Sequence, residues 1–162
     1  MKLTFNMKTN NILSIEEFKT NIGTNCRLLG IDPGRKNVGI AICDENQKVA
    51  TPLKTIQKNK FDGLLNEIKL IINENNIKGI VVGNPIKMDG SFSESSQSAN
   101  DFSKNLSKNI TIPITQWDER LSSEGTFKII NKLTVNTSSK VKNLDKNAAA
   151  FILQGAIDFF AN

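Results

Sequence analysis

The chain has 162 residues, with 21 lysines and arginines against 16 acids and a net charge of +5. That length suits one domain, and the basic balance suits a polyanionic partner. There is no histidine, which excludes Ser-His-Asp triads, histidine general bases and imidazole zinc ligands, so acid–base work must fall to carboxylates, lysines or metal-bound water. Cys26 and Cys43 fit no zinc spacing and read as small buried strand residues. A turn centred near Gly34 and Arg35 would set them roughly opposite one another across a hairpin. No apolar run is long enough for a membrane span and no signal-peptide core begins the chain, so the expectation is a cytoplasmic protein with no membrane partner.

In chain order, residues 1–25 form an extension rich in Asn and Thr, in which Ser14-Ile15-Glu16-Glu17 matches a capping box and predicts a short helix through Thr20. The main domain is expected over 26–162. Residues 26–31 and 38–43 are apolar runs that predict two strands, with Pro33-Gly34 in the turn between them. Asp32 interrupts these runs at the mouth of the hairpin. Taken alone, turn chemistry before Pro-Gly accounts for an Asp there better than function does. A second turn at 44–47 leads to a strand over 48–56 that Pro52 demotes to an edge or a bulge.

Phe61, Leu64, Leu65, Ile68, Ile71 and Ile72 recur at helical spacing and predict an amphipathic helix closed by Asn73, Asn75 and Asn76. Ile80-Val81-Val82, bounded by glycines, reads as a central strand covered on both faces. A loop follows over 83–91, then a polar helix over about 92–108 with Ala99, Phe102 and Leu106 facing inward. Residues 112–117 predict the last strand. A helix is expected over about 122–133, a Ser/Thr/Asn/Lys-rich stretch over 134–142 has loop composition, and an apolar helix from Leu144 closes the chain. The order predicts an α/β fold with a mixed central sheet of about five strands.

Three acidic islands then stand at comparable places: Asp32 ending the first strand, Asp118 and Glu119 following the last, and Asp145 opening the terminal helix. Phosphodiester hydrolysis by divalent metals needs carboxylates converging on a point, because oxygen ligands hold Mg²⁺ or Mn²⁺ and leave positions for water and phosphate. Strand ends of an open α/β sheet are where such groups converge. Each acid alone is equally well explained by strand termination or the helix dipole.

The ordered set Gly30-Ile31-Asp32-Pro33-Gly34 through Gly39-Ile40-Ala41, Ala50-Thr51-Pro52-Leu53, Ile80-Val81-Val82-Gly83-Asn84-Pro85 with Met88-Asp89-Gly90, Asp118-Glu119-Arg120-Leu121-Ser122, and Asp145 with Ala148-Ala149 resembles the YqgF/RuvX family. Its members are called pre-16S rRNA nucleases or Holliday junction resolvase homologues. The resemblance covers about Arg27 to Phe160. It implies an RNase H-like, RuvC-like fold with helices on both faces of the sheet, and a Mg²⁺- or Mn²⁺-dependent endonuclease.

Carried over residue by residue, it implies Asp32 as the first ligand, Asp118 or Glu119 as the second and Asp145 as the third. Strand alternation allows only one of the adjacent pair to aim at the metals and does not say which. Arg120 could fork onto a phosphate or pair with Asp118 or Asp89. Arg35, Lys36 and Lys87 on nearby loops are candidates for tracking a nucleic-acid backbone, and Asn84 and Ser91 in the 83–91 loop for substrate contact. By the resemblance, the substrate would be precursor 16S rRNA at its 5′ flank, presented free or in ribosomal assembly particles, or branched DNA as in a Holliday junction resolvase.

The competing classes are a non-catalytic nucleic-acid-binding module and an actin-like phosphotransferase. The intact carboxylates argue against the first. The second needs another glycine-rich nucleotide loop and a duplicated domain, both missing from this sequence.

Overall fold

The computed structural model describes residues 10–86, 89–91, 93–121 and 144–162, with backbone alone for residues 144 and 145. Its elements are β1 (Ile12–Leu13), α1 (Ile15–Ile22), β2 (Arg27–Pro33), β3 (Asn37–Cys43), β4 (Ala50–Gln57), α2 (Phe61–Asn75), β5 (Ile77–Asn84), α3 (Glu94–Ser107), β6 (Ile114–Asp118) with a 3-10 turn over Glu119–Leu121, and α4 (Leu144–Ala161). The expected helix over 122–133 and loop over 134–142 lie outside the described residues.

The strands form one six-stranded sheet in the order β1-β6-β5-β2-β3-β4. β2, β3 and β4 are an antiparallel meander, while β1, β6, β5 and β2 run parallel. As Pro52 foretold, β4 is an edge strand, and its ladder with β3 is irregular between Ile40 and Ala41, where Ala41 faces Pro52. The sixth strand comes from the N-terminal extension: β1 lies beside β6, with the Asn11 carbonyl accepting from Ile114 N–H at 2.8 Å. The Asn11 side chain donates to the carbonyls of Ile110 and Ile112, at 2.7 and 2.8 Å, which ties the end of α3 to this edge.

One apolar layer lies between the sheet and α2 and α3, and contains Leu29, Ile31, Ile80, Val82, Ile68 and Phe102. The other lies between the sheet and α1 and α4, and contains Leu28, Val81, Trp117, Leu153 and Phe18. Alternation along β2 and β5 deals successive residues to opposite layers, so the central strands read as unbroken apolar runs. α1 is capped by Ser14, whose hydroxyl accepts from Glu17 N–H. It drives Phe18 into the sheet over Gly79, where an added Cβ would come within 2.6 Å of the ring. The ring also stacks on Phe160 of α4 at 5.8 Å.

α4 lies across β2, where a Cβ at Gly30 would meet the Ala149 carbonyl oxygen at 2.8 Å. Buried Gln154 sews α4 to the start of β4 by accepting from Ala50 N–H and donating to the Lys48 carbonyl. The two cysteines are free thiols and are not opposite one another. The β2–β3 register pairs Leu29 with Ile42, which sets Cys43 against Leu28 instead of Cys26.

Candidate active site

Because β2, β5 and β6 are parallel, Asp32, Asn84 and Asp118 arrive at the same edge of the sheet, its carboxyl edge. Which face each presents follows from alternation. Leu28 and Gly30 of β2 meet the α4 layer, so Asp32, two residues on, belongs to that face. On β6, Trp117 lies in the α4 layer and Ile114 in the α3 layer, so Asp118 projects to the α3 side.

Glu119 escapes this parity by leaving the strand into the 3-10 turn. Its carboxylate swings back over β5 on the α4 face: Oε1 lies 3.2 Å from where a Cβ on Gly83 would be. Gly83 is one residue beyond the β2–β5 pair Ile31–Val82, which makes it the β5 neighbour of Asp32. Asp32 and Glu119 therefore flank a cradle at Gly83, where the glycine lets Ile152 of α4 fill the place a side chain would take. Asp145 is the second residue of α4, one turn ahead of Ala149, which abuts Gly30. Among the described residues no three acidic or cysteine side chains gather closely enough to hold a metal ion.

The two neighbouring acids differ in electrostatics as well as in direction. Arg120 closes a fork on Asp118, with Nε donating to Oδ1 at 3.0 Å and Nη2 to Oδ2 at 2.7 Å. The Arg120 side-chain bond holds the Asp118 carboxyl below its ordinary range. Burial, and after it the negative charge of Asp118, push the Glu119 carboxyl up. Asp118 thus has its cation within the chain, whereas the electrostatics around Glu119 disfavour a bare charge. A half-buried oxygen donor of this kind fits a hard divalent cation, and Asp32 across the cradle is a second donor of the same chemistry.

The remaining candidates are dispersed around this edge. Arg120 faces Asp118 and, at longer range, Asp89. Asn84 is buried and donates to Gln116 at 2.9 Å, while its side-chain Oδ1 is buried with no hydrogen-bond partner among the described residues. Ser91 spends both its amide and its hydroxyl on Asp89, at 2.8 and 2.6 Å. Arg35 is exposed and pairs loosely with Glu94 at 3.5 Å, and Lys36 is exposed beside it. Lys87 lies outside the described residues. Trp117 is a core residue, packed edge-on against Phe159 at 5.7 Å.

The family described as "RuvX: Holliday junction resolvase" matches residues 26–159. The chain belongs to the RuvX family. A relative from Pelagibacter ubique, named "Putative pre-16S rRNA nuclease", is 52% identical over 151 residues, covering 93% of this chain and 100% of the relative. One from Zymomonas mobilis with the same name is 38% identical, covering 83% of this chain and 82% of the relative. Among solved structures, Thermus thermophilus RuvC in complex with a Holliday junction superposes with a TM-score of 0.54 at 9% identity. The match covers 83% of this chain and 93% of that one. The likeness establishes for this RuvX member the mixed α/β architecture of RuvC-like, RNase H-like resolvases.

Two residues at this edge carry no sequence signal strong enough to single them out. Gly83 reads only as the end of a buried strand, although a glycine at that place is the known mark of a close approach. Lys58 sits in a Lys/Asn-rich connection after β4 and belongs to no motif, yet it lines a cleft of about 290 Å³ together with Asp32.

Proposed function

We propose that this chain is a divalent-metal-dependent endonuclease that hydrolyses phosphodiester bonds in structured nucleic acid, with precursor 16S rRNA, at its 5′ flank, as its substrate. One observation carries the reading: Asp32 and Glu119 are brought to one face of the sheet edge, on either side of Gly83. Asp32 and Glu119 would hold the metal, with Asp145 at the start of α4 completing the set. Bound Mg²⁺ or Mn²⁺ supplies the acidity that activates a water for attack and the positive charge that stabilises the leaving oxygen.

The chain's own part is positional. α4 shields the carboxylates from one side, which lowers the local dielectric and strengthens their hold on a cation. Asp118 anchors Arg120, a positioning role that keeps the guanidinium at the rim of the edge, where its remaining N–H groups can meet a phosphate oxygen. No histidine is required, because neither the attacking water nor the leaving group needs a side chain with a pKa near neutrality once a metal is bound.

The RuvX description supports a second substrate, branched DNA. Precursor RNA and a four-way DNA junction, each incubated with the purified protein in Mg²⁺, separate the two. The expected result is site-specific cleavage of the RNA, abolished in Asp32→Asn. Cleavage by Asp32→Asn at the wild-type rate would remove the catalytic assignment, and binding of RNA with no cleavage in any divalent metal would leave the non-catalytic module.

A further inference from the structure

On the α3 side of the same edge, opposite the Gly83 cradle, Asp32 also borders a cleft of about 290 Å³. One rim is the β2–β3 turn with Arg35, joined by Lys58 from the end of β4. The other is Pro85 and the first turns of α3, which contribute Ser95 and Ser98. The rim of cations is built in. The last β3–β4 pair is Asn37 with Gln57, and the next residue, Lys58, donates its backbone N–H to the Lys36 carbonyl at 2.8 Å. That clip fixes the two loops side by side, and Arg35 and Lys58 from them both line the cleft. Glu94 engages Arg35 across the mouth at 3.5 Å, with both side chains more than nine-tenths exposed, a pairing that yields readily to a phosphate. Among the described residues Lys58 makes no ion pair.

We propose that this cleft receives the sugar–phosphate backbone of a single nucleic-acid strand next to the bond that is cut, with Lys58 as the phosphate contact and the hydroxyls of Ser95 and Ser98 lining the opposite wall. The inference rests on the nuclease reading and extends it, by giving the strand a path from the Gly83 cradle across Asp32 to the other face of the sheet. A cleft of this volume has room for the backbone of one strand. A phosphate held only by Lys58 contributes to affinity on any sequence, and its loss shows in the salt dependence of binding.

The test measures fluorescence anisotropy of short labelled single-stranded RNA and DNA oligonucleotides over a salt series in metal-free buffer, with wild type, Lys58→Gln and Lys69→Gln. Lys69 is an exposed lysine on α2, and its substitution makes the same change in net charge. The expected result for Lys58→Gln is binding weakened several-fold and a slope of log affinity against log salt shallower by about 0.7, the value for one phosphate on a single strand. Lys69→Gln should keep the wild-type slope. Weakening on both oligonucleotides, or on one, identifies the strand chemistry the cleft accepts. Equal slopes for Lys58→Gln and wild type, or a wild type that binds neither oligonucleotide, would overturn the cleft assignment alone, whereas the nuclease reading falls only if the protein cleaves neither precursor RNA nor the four-way junction in Mg²⁺.

Discussion

Replacing Gly83 with alanine adds one methyl at the point where the proposed site is most crowded. The new Cβ would overlap Ile152 Cδ1, lie 2.9 Å from Ile152 Cγ1 and 3.2 Å from Glu119 Oε1, against an ordinary carbon–carbon contact of about 3.5–4.0 Å. Overpacking of this kind costs about 1–3 kcal/mol. In a chain of this size each kcal/mol moves the melting temperature by about 2–4 °C, so Gly83→Ala should melt about 2–12 °C below wild type. Ile152→Val removes the overlapping Cδ1 and by itself costs about 0.5–1.5 kcal/mol. The double variant should therefore be more stable than the summed losses by about 0.5 kcal/mol or more. Thermal and urea denaturation measure all four proteins. Cleavage should stay low even in the double variant, because the methyl still crowds the Glu119 carboxylate. Strictly additive losses, together with wild-type cleavage by Gly83→Ala, would refute the cradle.

Phe18→Ala should cost about 3–5 kcal/mol in urea unfolding, since the ring is fully buried between Gly79 and Phe160. Near-neutral behaviour would mean that α1 does not contribute to the core. Gln154→Ala should lose about 1–3 kcal/mol, because it strands the buried Ala50 N–H, and amide exchange at Ala50 should quicken. Asp118 is held below its ordinary value of 3.8 by the Arg120 bond, so the pair stabilises the fold above that value and the benefit disappears as pH falls through the lowered one. Urea midpoints of wild type and Asp118→Asn should accordingly differ at pH 7 and converge in strong acid. A gap that widens toward acid would contradict the sign.

Much of this architecture could be read from residue pattern. The central strand was visible because Ile80-Val81-Val82 is apolar on both sides, and the edge position of β4 because Pro52 cannot serve a central ladder. α2 and α3 followed from their periodicity. The sixth strand was not legible: Ile12 and Leu13 are too short a run to signal a strand, and only pairing with β6 makes them one. The cysteine register was off by two residues, since the turn centre cannot be fixed from Pro33-Gly34 alone.

At the site, the sheet edge that Asp32 and Asp118 share was legible in the sequence, but the different directions taken by Asp118 and Glu119 were not. Alternation along β6 governs Asp118 and stops there. Glu119 belongs to a 3-10 turn, and its carboxylate lies over Gly83 of another strand. Lys58 was hidden for a similar reason, because its place beside Lys36 is set by a backbone bond between distant loops.

In the proposed mechanism Glu119, with Asp32, would hold the catalytic metal while Asp118 serves Arg120. Single-turnover cleavage of precursor 16S rRNA in Mg²⁺ by Glu119→Gln and by Asp118→Asn tests it most directly. Glu119→Gln should lose about a hundredfold or more, and Asp118→Asn about tenfold. The reverse order, with Asp118→Asn inactive and Glu119→Gln close to wild type, would contradict this mechanism.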